Sequence, residues 1–142
     1  MSEERESFEA WRDTMDVSLE SFLSELPPDV AEQLDGSEES LDVLEAWLLD
    51  RYGEPKDMRP RDERFRVDGA ARYFGEVLRK ALGGRWDIEL DKPRSAFAGV
   101  PIIRDAGPPG GPPVAPMFAV SAATDRRTGT FLSGMVRSLR GD

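Results

Sequence analysis

The chain of 142 residues contains no cysteine and no histidine. Without cysteine there is neither a disulfide framework nor a thiolate metal site, and without histidine there is no imidazole ligand and no use of the commonest general base. Composition therefore argues against zinc sites and Ser-His-Asp catalysis. We expect no metal ion and no cofactor.

Long apolar runs are also missing. No segment approaches the roughly 20 apolar residues that span a bilayer. The first 13 residues, MSEERESFEAWRD, are polar and acidic, whereas a secretory signal is cationic and then apolar. The sequence therefore predicts a cytoplasmic protein that does not bind membranes.

The hydrophobic residues suffice to form one core, because they make up 39% of the 142 residues. We expect a single domain over residues 1–142. Within it we distinguish an acidic N-terminal helical segment (1–36), a core region (37–142) and a Pro/Gly-rich loop (105–115).

Charge is distributed unevenly along the chain. Residues 1–50 hold 16 acidic and 2 basic residues, net −14, whereas residues 51–142 hold 12 acidic and 17 basic residues, net +5. Such a field attracts basic partners to the N-terminal part and repels phosphate backbones from it. The alternative is that the acidic helices pack against the basic remainder or form a solvated face.

Helical periodicity dominates the first third of the chain. Residues 4–26 predict one helix with an apolar stripe, Pro27-Pro28 stops it, and residues 28–34 predict a short turn of helix. Ser37 is placed to cap a further helix that ends at Gly53. Four acidic residues lie outside the apolar stripe of the first predicted helix, and we take them as candidates for partner binding: Glu9, Asp13, Asp16 and Glu20.

A charged connection with two prolines follows, over residues 54–66. Phe65 is its expected apolar anchor. Four arginines form a small basic cluster within it (Arg59, Arg61, Arg64 and Arg66), but three interleaved acids weaken its positive field. A solvated loop is therefore preferred to a nucleic-acid site.

The central helix is predicted from Asp68, as N-cap, to Leu82, where Gly83-Gly84 stops it. The alternation of apolar and charged residues over 85–90 predicts a strand, and residues 97–104 predict a second strand. Two C-terminal helices follow, the first led by Pro116 and the last capped by Thr128. The predicted fold class is α+β, mostly helical: N-terminal helices, a central helix leading into a two-stranded β-hairpin, then two C-terminal helices.

A signature with spacing Y-x-G-E…G-G-x-W is carried by Tyr73, Gly75, Glu76, Gly83, Gly84 and Trp86. With the elements that follow, it resembles a group of small uncharacterised bacterial domains of actinobacterial type. Some of those domains resemble immunity or accessory proteins encoded near toxins. The resemblance covers roughly residues 41–139 and implies a fold pattern, not an activity.

Gly75 is unusual because glycine inside a helix costs about 1 kcal/mol relative to alanine. We expect a backbone or an aromatic ring to pass close to it. For Glu76 we expect partial burial and a bond to the Trp86 indole or to nearby backbone; the alternative is a surface ion pair with Arg72, Arg79 or Lys80.

These observations favour a non-enzymatic protein-binding module, immunity-like or regulatory, that docks a partner on its acidic N-terminal helices. The alternative is a carboxylate-based hydrolase or metal-dependent enzyme that uses Glu76, Asp87, Glu89 and Asp91 as acid, base or Mg²⁺ ligands. A third option is a DNA mimic, whose carboxylates would be spaced like phosphates.

Overall fold

Seven α-helices and one two-stranded antiparallel sheet make up the computed structural model, which describes residues 2–141. The elements in chain order are α1 (Glu3–Asp13), α2 (Met15–Glu25), α3 (Pro28–Gln33), α4 (Ser40–Arg51), α5 (Arg64–Leu82), β1 (Arg85–Ile88), β2 (Pro101–Arg104), α6 (Pro116–Arg126) and α7 (Phe131–Arg140). The predicted fold class is confirmed, with the hairpin in the middle of the chain. None of the helices in the described part is both long and apolar enough to cross a bilayer.

The first predicted helix is two helices. The break lies at Thr14, whose hydroxyl donates to the Ala10 carbonyl (2.9 Å) and so competes with the helical backbone hydrogen bonds. As a result α1 packs on β1, whereas α2 packs on α5. The apolar stripe continues through Thr14, so periodicity alone could not show the break.

The turn before α4 also differs in detail from the expectation. The helix begins at Ser40, three residues after Ser37. Ser37 still satisfies a helix-end donor, because its hydroxyl accepts from the Ser40 N–H at 3.2 Å.

The central helix begins at Arg64 rather than after Asp68, so the prediction that Asp68 is its N-cap was wrong. The Asp68 carboxylate instead accepts from the Trp11 indole (2.8 Å) and from Arg72 (2.7 Å). Phe65 lies in the first turn of α5 and is 44% exposed, so it does not anchor the connection. The rest of the connection forms two short 3₁₀ turns, Pro55–Met58 and Arg61–Glu63.

The hairpin follows the central helix as predicted, with shorter strands. Arg85 pairs with Arg104, and the register places Trp86 opposite Ile103. Trp86, Ile88 and Ile103 are buried. The middle of the Pro/Gly-rich loop is exposed. Near the end of the loop, Val114 forms a backbone bridge to Ile103 of β2. The loop is therefore held at its far end by the sheet.

The last helix is capped by a residue that the sequence did not indicate. It begins at Phe131, and the Thr128 hydroxyl accepts only from the Thr130 N–H (3.2 Å), so Thr128 is not its N-cap. Instead the Glu45 carboxylate of α4 accepts from the backbone N–H groups of Phe131 (3.1 Å) and Leu132 (2.8 Å). Glu45 is fully buried.

One hydrophobic core contains side chains from Phe8 in α1 to Val136 in α7. The central helix supplies much of it, including Phe74 and Leu78, both 0% exposed. Helices α2, α6 and α7 all pack against α5. The whole described chain is thus organised around this helix.

Candidate functional site

The four predicted partner-binding acids lie on the outside of α1 and α2. Asp13, Asp16 and Glu20 are exposed, and Glu9 is half-buried. Within residues 2–141, the ion pair of this group is between Asp13 and Arg12, its own neighbour in α1. Within the described part of the chain, these acids therefore form no ion pair with the basic remainder. We call Glu9, Asp13, Asp16, Val17 and Glu20 the acidic face.

Val17 is the most exposed large apolar side chain in the described chain, at 67%. It lies in α2, three residues before Glu20, so the helical spacing puts it beside that carboxylate. The acidic face thus offers an apolar contact next to negative charge.

Of the four carboxylates of the enzyme alternative, the structure brings two together, but it brings them to an arginine. Arg104, across the hairpin, donates to Asp87 (2.5 Å) and to Glu89 (3.2 Å). Burial is the largest single influence and acts to raise the pKa of Asp87. The hydrogen bonds from Arg104 and from the Ile88 backbone, together with the positive charges of Arg104 and Arg5, outweigh burial and hold that pKa below its ordinary value. Asp91 is exposed, and its backbone N–H donates a hydrogen bond to the Glu89 carboxylate (3.2 Å).

Glu76 lies apart from those strand acids and has structural partners of its own. It accepts from the Trp86 indole (3.0 Å) and from Arg79 (2.7 Å). Both expectations for Glu76 are therefore correct in part, with Arg79 as the ion-pair partner. No group of three or more carboxylates that could hold a metal ion occurs within residues 2–141.

The six signature residues form one packing arrangement between α5 and the hairpin. A methyl group on Gly75 would lie 2.3 Å from ring atoms of Trp86, so the predicted close neighbour is confirmed, and of the two expected kinds it is an aromatic ring. Gly83 and Gly84 end α5 with positive φ, and a methyl group on Gly84 would lie 2.7 Å from the Arg104 carbonyl. The Tyr73 hydroxyl contacts the Gly36 N–H (2.9 Å) and Ser40 Oγ (2.7 Å).

Each signature residue therefore has a structural task. The signature brings the strand against the helix and ties the helix to the turn before α4.

No family model, curated protein or solved structure matches this chain.

A second surface lies between α5, the first 3₁₀ turn and α6. Its largest cavity has a volume of about 770 Å³. Cavities of about 240 and 150 Å³ adjoin it, and all three share Met117 in their walls. We call this surface the apolar groove and define it by the seven residues that line its largest cavity: Met58, Arg59, Arg64, Phe65, Val67, Asp68 and Met117.

Sequence reasoning missed the groove, since its residues come from three segments that periodicity treats separately. One signal was available. Phe65 and Phe118 fall outside the stripes that fill the core, and they are 44% and 42% exposed. Large apolar side chains left on the surface indicate a binding site when they are contiguous.

Proposed function

We propose that this protein is a non-enzymatic binding module that docks a partner protein with a basic surface on the acidic face. The observation that supports this is the absence, within the described chain, of any ion pair from these acids to the basic half. Their charge remains available to attract a partner.

The chemistry of the face suits a protein better than a nucleic acid. Carboxylates repel a phosphate backbone, whereas lysines and arginines of a partner approach them favourably. Val17, 67% exposed, supplies an apolar contact that a partner would bury. The proposal extends to an immunity-like or regulatory role in the cytoplasm; this part rests on the sequence signature and composition.

The test reverses the charge of the face. In the quadruple variant Glu9→Lys, Asp13→Lys, Asp16→Lys and Glu20→Lys, we expect a nearly unchanged melting temperature, because three of the positions are exposed, Glu9 is half-buried, and surface substitutions usually cost little. Association with the partner should become about ten-fold slower at low salt and lose its salt dependence, since such charges act mainly on the encounter rate.

The partner is identified by a photo-cross-linking residue in place of Val17, with the same residue in place of the exposed Glu32 as control. The charge control reverses four exposed acids elsewhere: Asp29, Asp50, Asp91 and Asp125. It makes the same change in net charge and should leave the association rate nearly as in the wild type. A lowered melting temperature with unaltered association in the quadruple variant would contradict the proposal.

A further inference from the structure

The apolar groove has the composition of a protein-binding site and no covering from the described chain. Its floor is formed by Met58 and Val67, both 7% exposed, and by the half-buried Met117. Methionine side chains are flexible and polarizable, and they recur at surfaces that adapt to a bound helix. Phe65 stands at its edge, 44% exposed.

A second phenylalanine extends this apolar surface. Phe118 lines the adjoining cavity of about 240 Å³, together with Met58 and Met117. It is 42% exposed and stacks on Phe97, with ring centroids 5.9 Å apart. The groove therefore offers two aromatic side chains to an occupant.

The charge at the groove is positive. Arg59 and Arg64 line it, both are exposed, and neither forms an ion pair within residues 2–141. The carboxylate of the groove, Asp68, is neutralised by Arg72 at 2.7 Å and also accepts from Trp11. An occupant thus meets two unpaired guanidinium groups and no free carboxylate.

The walls determine the shape of the occupant. They come from α5, α6 and a 3₁₀ turn, whose backbone groups are engaged within helices, so no strand edge lies open for an added β-strand. A groove between helices with apolar floor and aromatic rim accommodates the apolar stripe of an amphipathic helix.

We propose that the apolar groove binds an amphipathic helix of a partner protein that carries carboxylates beside its apolar stripe. The apolar side chains of the helix contact Met58, Phe65 and Met117. Its carboxylates accept from Arg59 and Arg64, a charge-assisted geometry that arginine favours. This surface is distinct from the acidic face and opposite to it in sign.

The probe is a fluorescein-labelled 15-residue helical peptide with Leu and Phe at positions i, i+3, i+4 and i+7 and Glu beside them. Its matched control carries Gln in place of Glu. Fluorescence anisotropy with the full chain at low salt should show the Glu peptide binding about ten-fold more tightly than the Gln peptide.

Protein variants assign that binding to the groove. Arg59→Glu with Arg64→Glu should weaken the Glu peptide about ten-fold and leave the Gln peptide nearly unchanged. Phe65→Ser should weaken both peptides, and its melting temperature should stay that of the wild type because Phe65 is 44% exposed. As charge control, Arg94→Glu with Arg126→Glu, at exposed arginines elsewhere, should change neither affinity.

Three results would overturn the proposal. The first is no binding of either peptide at millimolar concentration. The second is equal binding of the Glu and Gln peptides, which would leave an apolar patch without preference for acids. The third is self-association in sedimentation velocity that Phe65→Ser abolishes, which would assign the groove to a second copy of this chain. All three outcomes leave the acidic face untouched, so failure here is distinguishable from failure of the proposed function.

Discussion

Gly75 and Trp86 show at the residue scale why a glycine stands in the middle of α5. The indole ring occupies the space where any larger side chain would begin, and its N–H donates to Glu76 one residue further along the helix. Trp86 also makes an edge contact with Trp11, with ring centroids 4.9 Å apart. One aromatic side chain therefore joins α5, β1 and α1.

We predict that Gly75→Ala destabilises the protein although alanine is the better helix former. The new methyl group would lie 2.3 Å from Trp86 ring atoms. Overpacking of this kind costs about 1–3 kcal/mol, whereas the gain in helix propensity is about 1 kcal/mol, so the net loss lies between about 0 and 2 kcal/mol. We expect the upper part of that range, because a contact of 2.3 Å forces the ring or the helix to move. Urea denaturation measures it.

A matched control lies in the last helix. A methyl group on Gly134 of α7 would approach only the flexible Arg137 side chain of the same helix, at 3.9 Å, among the described residues, so Gly134→Ala should raise stability by about 0.5–1 kcal/mol. Equal effects of the two substitutions would show that the indole does not restrict position 75.

At the scale of elements, helix ends are satisfied by side chains from distant helices. Glu45 of α4 accepts from the first N–H groups of α7, where a negative charge is favourable. Reciprocally, Arg127, which follows α6, donates to the carbonyls of Leu49 (2.7 Å) and Tyr52 (2.8 Å) at the end of α4. Helix α4 is thus tied to both C-terminal helices by charge-assisted hydrogen bonds.

The end of α4 is also tied to the turn before α5. Arg51 binds Glu63 through two hydrogen bonds (2.7 and 3.0 Å), and the Tyr52 hydroxyl donates to the same carboxylate (2.7 Å). The hydrogen bond from Arg51 is the main cause that lowers the pKa of Glu63 to about 2. The pKa of Tyr52 is raised, chiefly by burial and then by Glu63.

We predict a pH-dependent contribution of Glu63 to stability. Because its pKa is lower in the folded than in the unfolded chain, the contribution is fully present above the ordinary value of 4.5 and is lost as pH falls towards 2. Glu63→Gln should therefore cost roughly 1–2 kcal/mol at pH 7, allowing for solvent screening, and almost nothing near pH 2.

Denaturant melts at pH 7, 5, 4, 3 and 2 test this, with Glu32→Gln at an exposed position of α3 as control. The control should match the wild type throughout. A Glu63→Gln difference that stayed constant from pH 5 to pH 2 would contradict the assignment.

Across the whole molecule, charge stays separated rather than neutralised. The ion pairs that join residues 2–50 to the remainder are few, such as Arg5 with Asp87 at 3.6 Å and Glu38 with Arg140. The acidic face and the arginines of the apolar groove are consequently both open to solvent. Two surfaces of opposite sign therefore lie on one small protein.

We predict that this acidic molecule nevertheless has no tight divalent-cation site. Its net charge is −9, but Asp87 and Glu89 are engaged by Arg104, and Glu76 by Arg79 and Trp86. Calorimetric titration with Mg²⁺, Mn²⁺ and Ca²⁺ should show only weak association, with dissociation constants of about 1 mM or above. A stoichiometric micromolar site would revive the metal-dependent enzyme.

The sequence by itself determined the local features of this protein. Apolar periodicity and stop signals located most helices and the hairpin, because such signals act within one or two turns of chain, but they missed the break at Thr14 and the start of α5 at Arg64. The glycine at position 75 indicated a backbone or an aromatic ring close to the helix, and Trp86 is that neighbour. Composition likewise ruled against thiolate and imidazole chemistry independently of the fold.

Only the tertiary structure decided which distant groups meet. Glu45 and Leu132, 87 residues apart, are joined by a hydrogen bond that no local pattern encodes. The same holds for Asp68, which looked like a cap but is held by Trp11, 57 residues away. The apolar groove, too, exists only because α5 and α6 lie side by side. Local sequence sets each element's apolar face, whereas the packing of all elements decides which parts of the surface stay open.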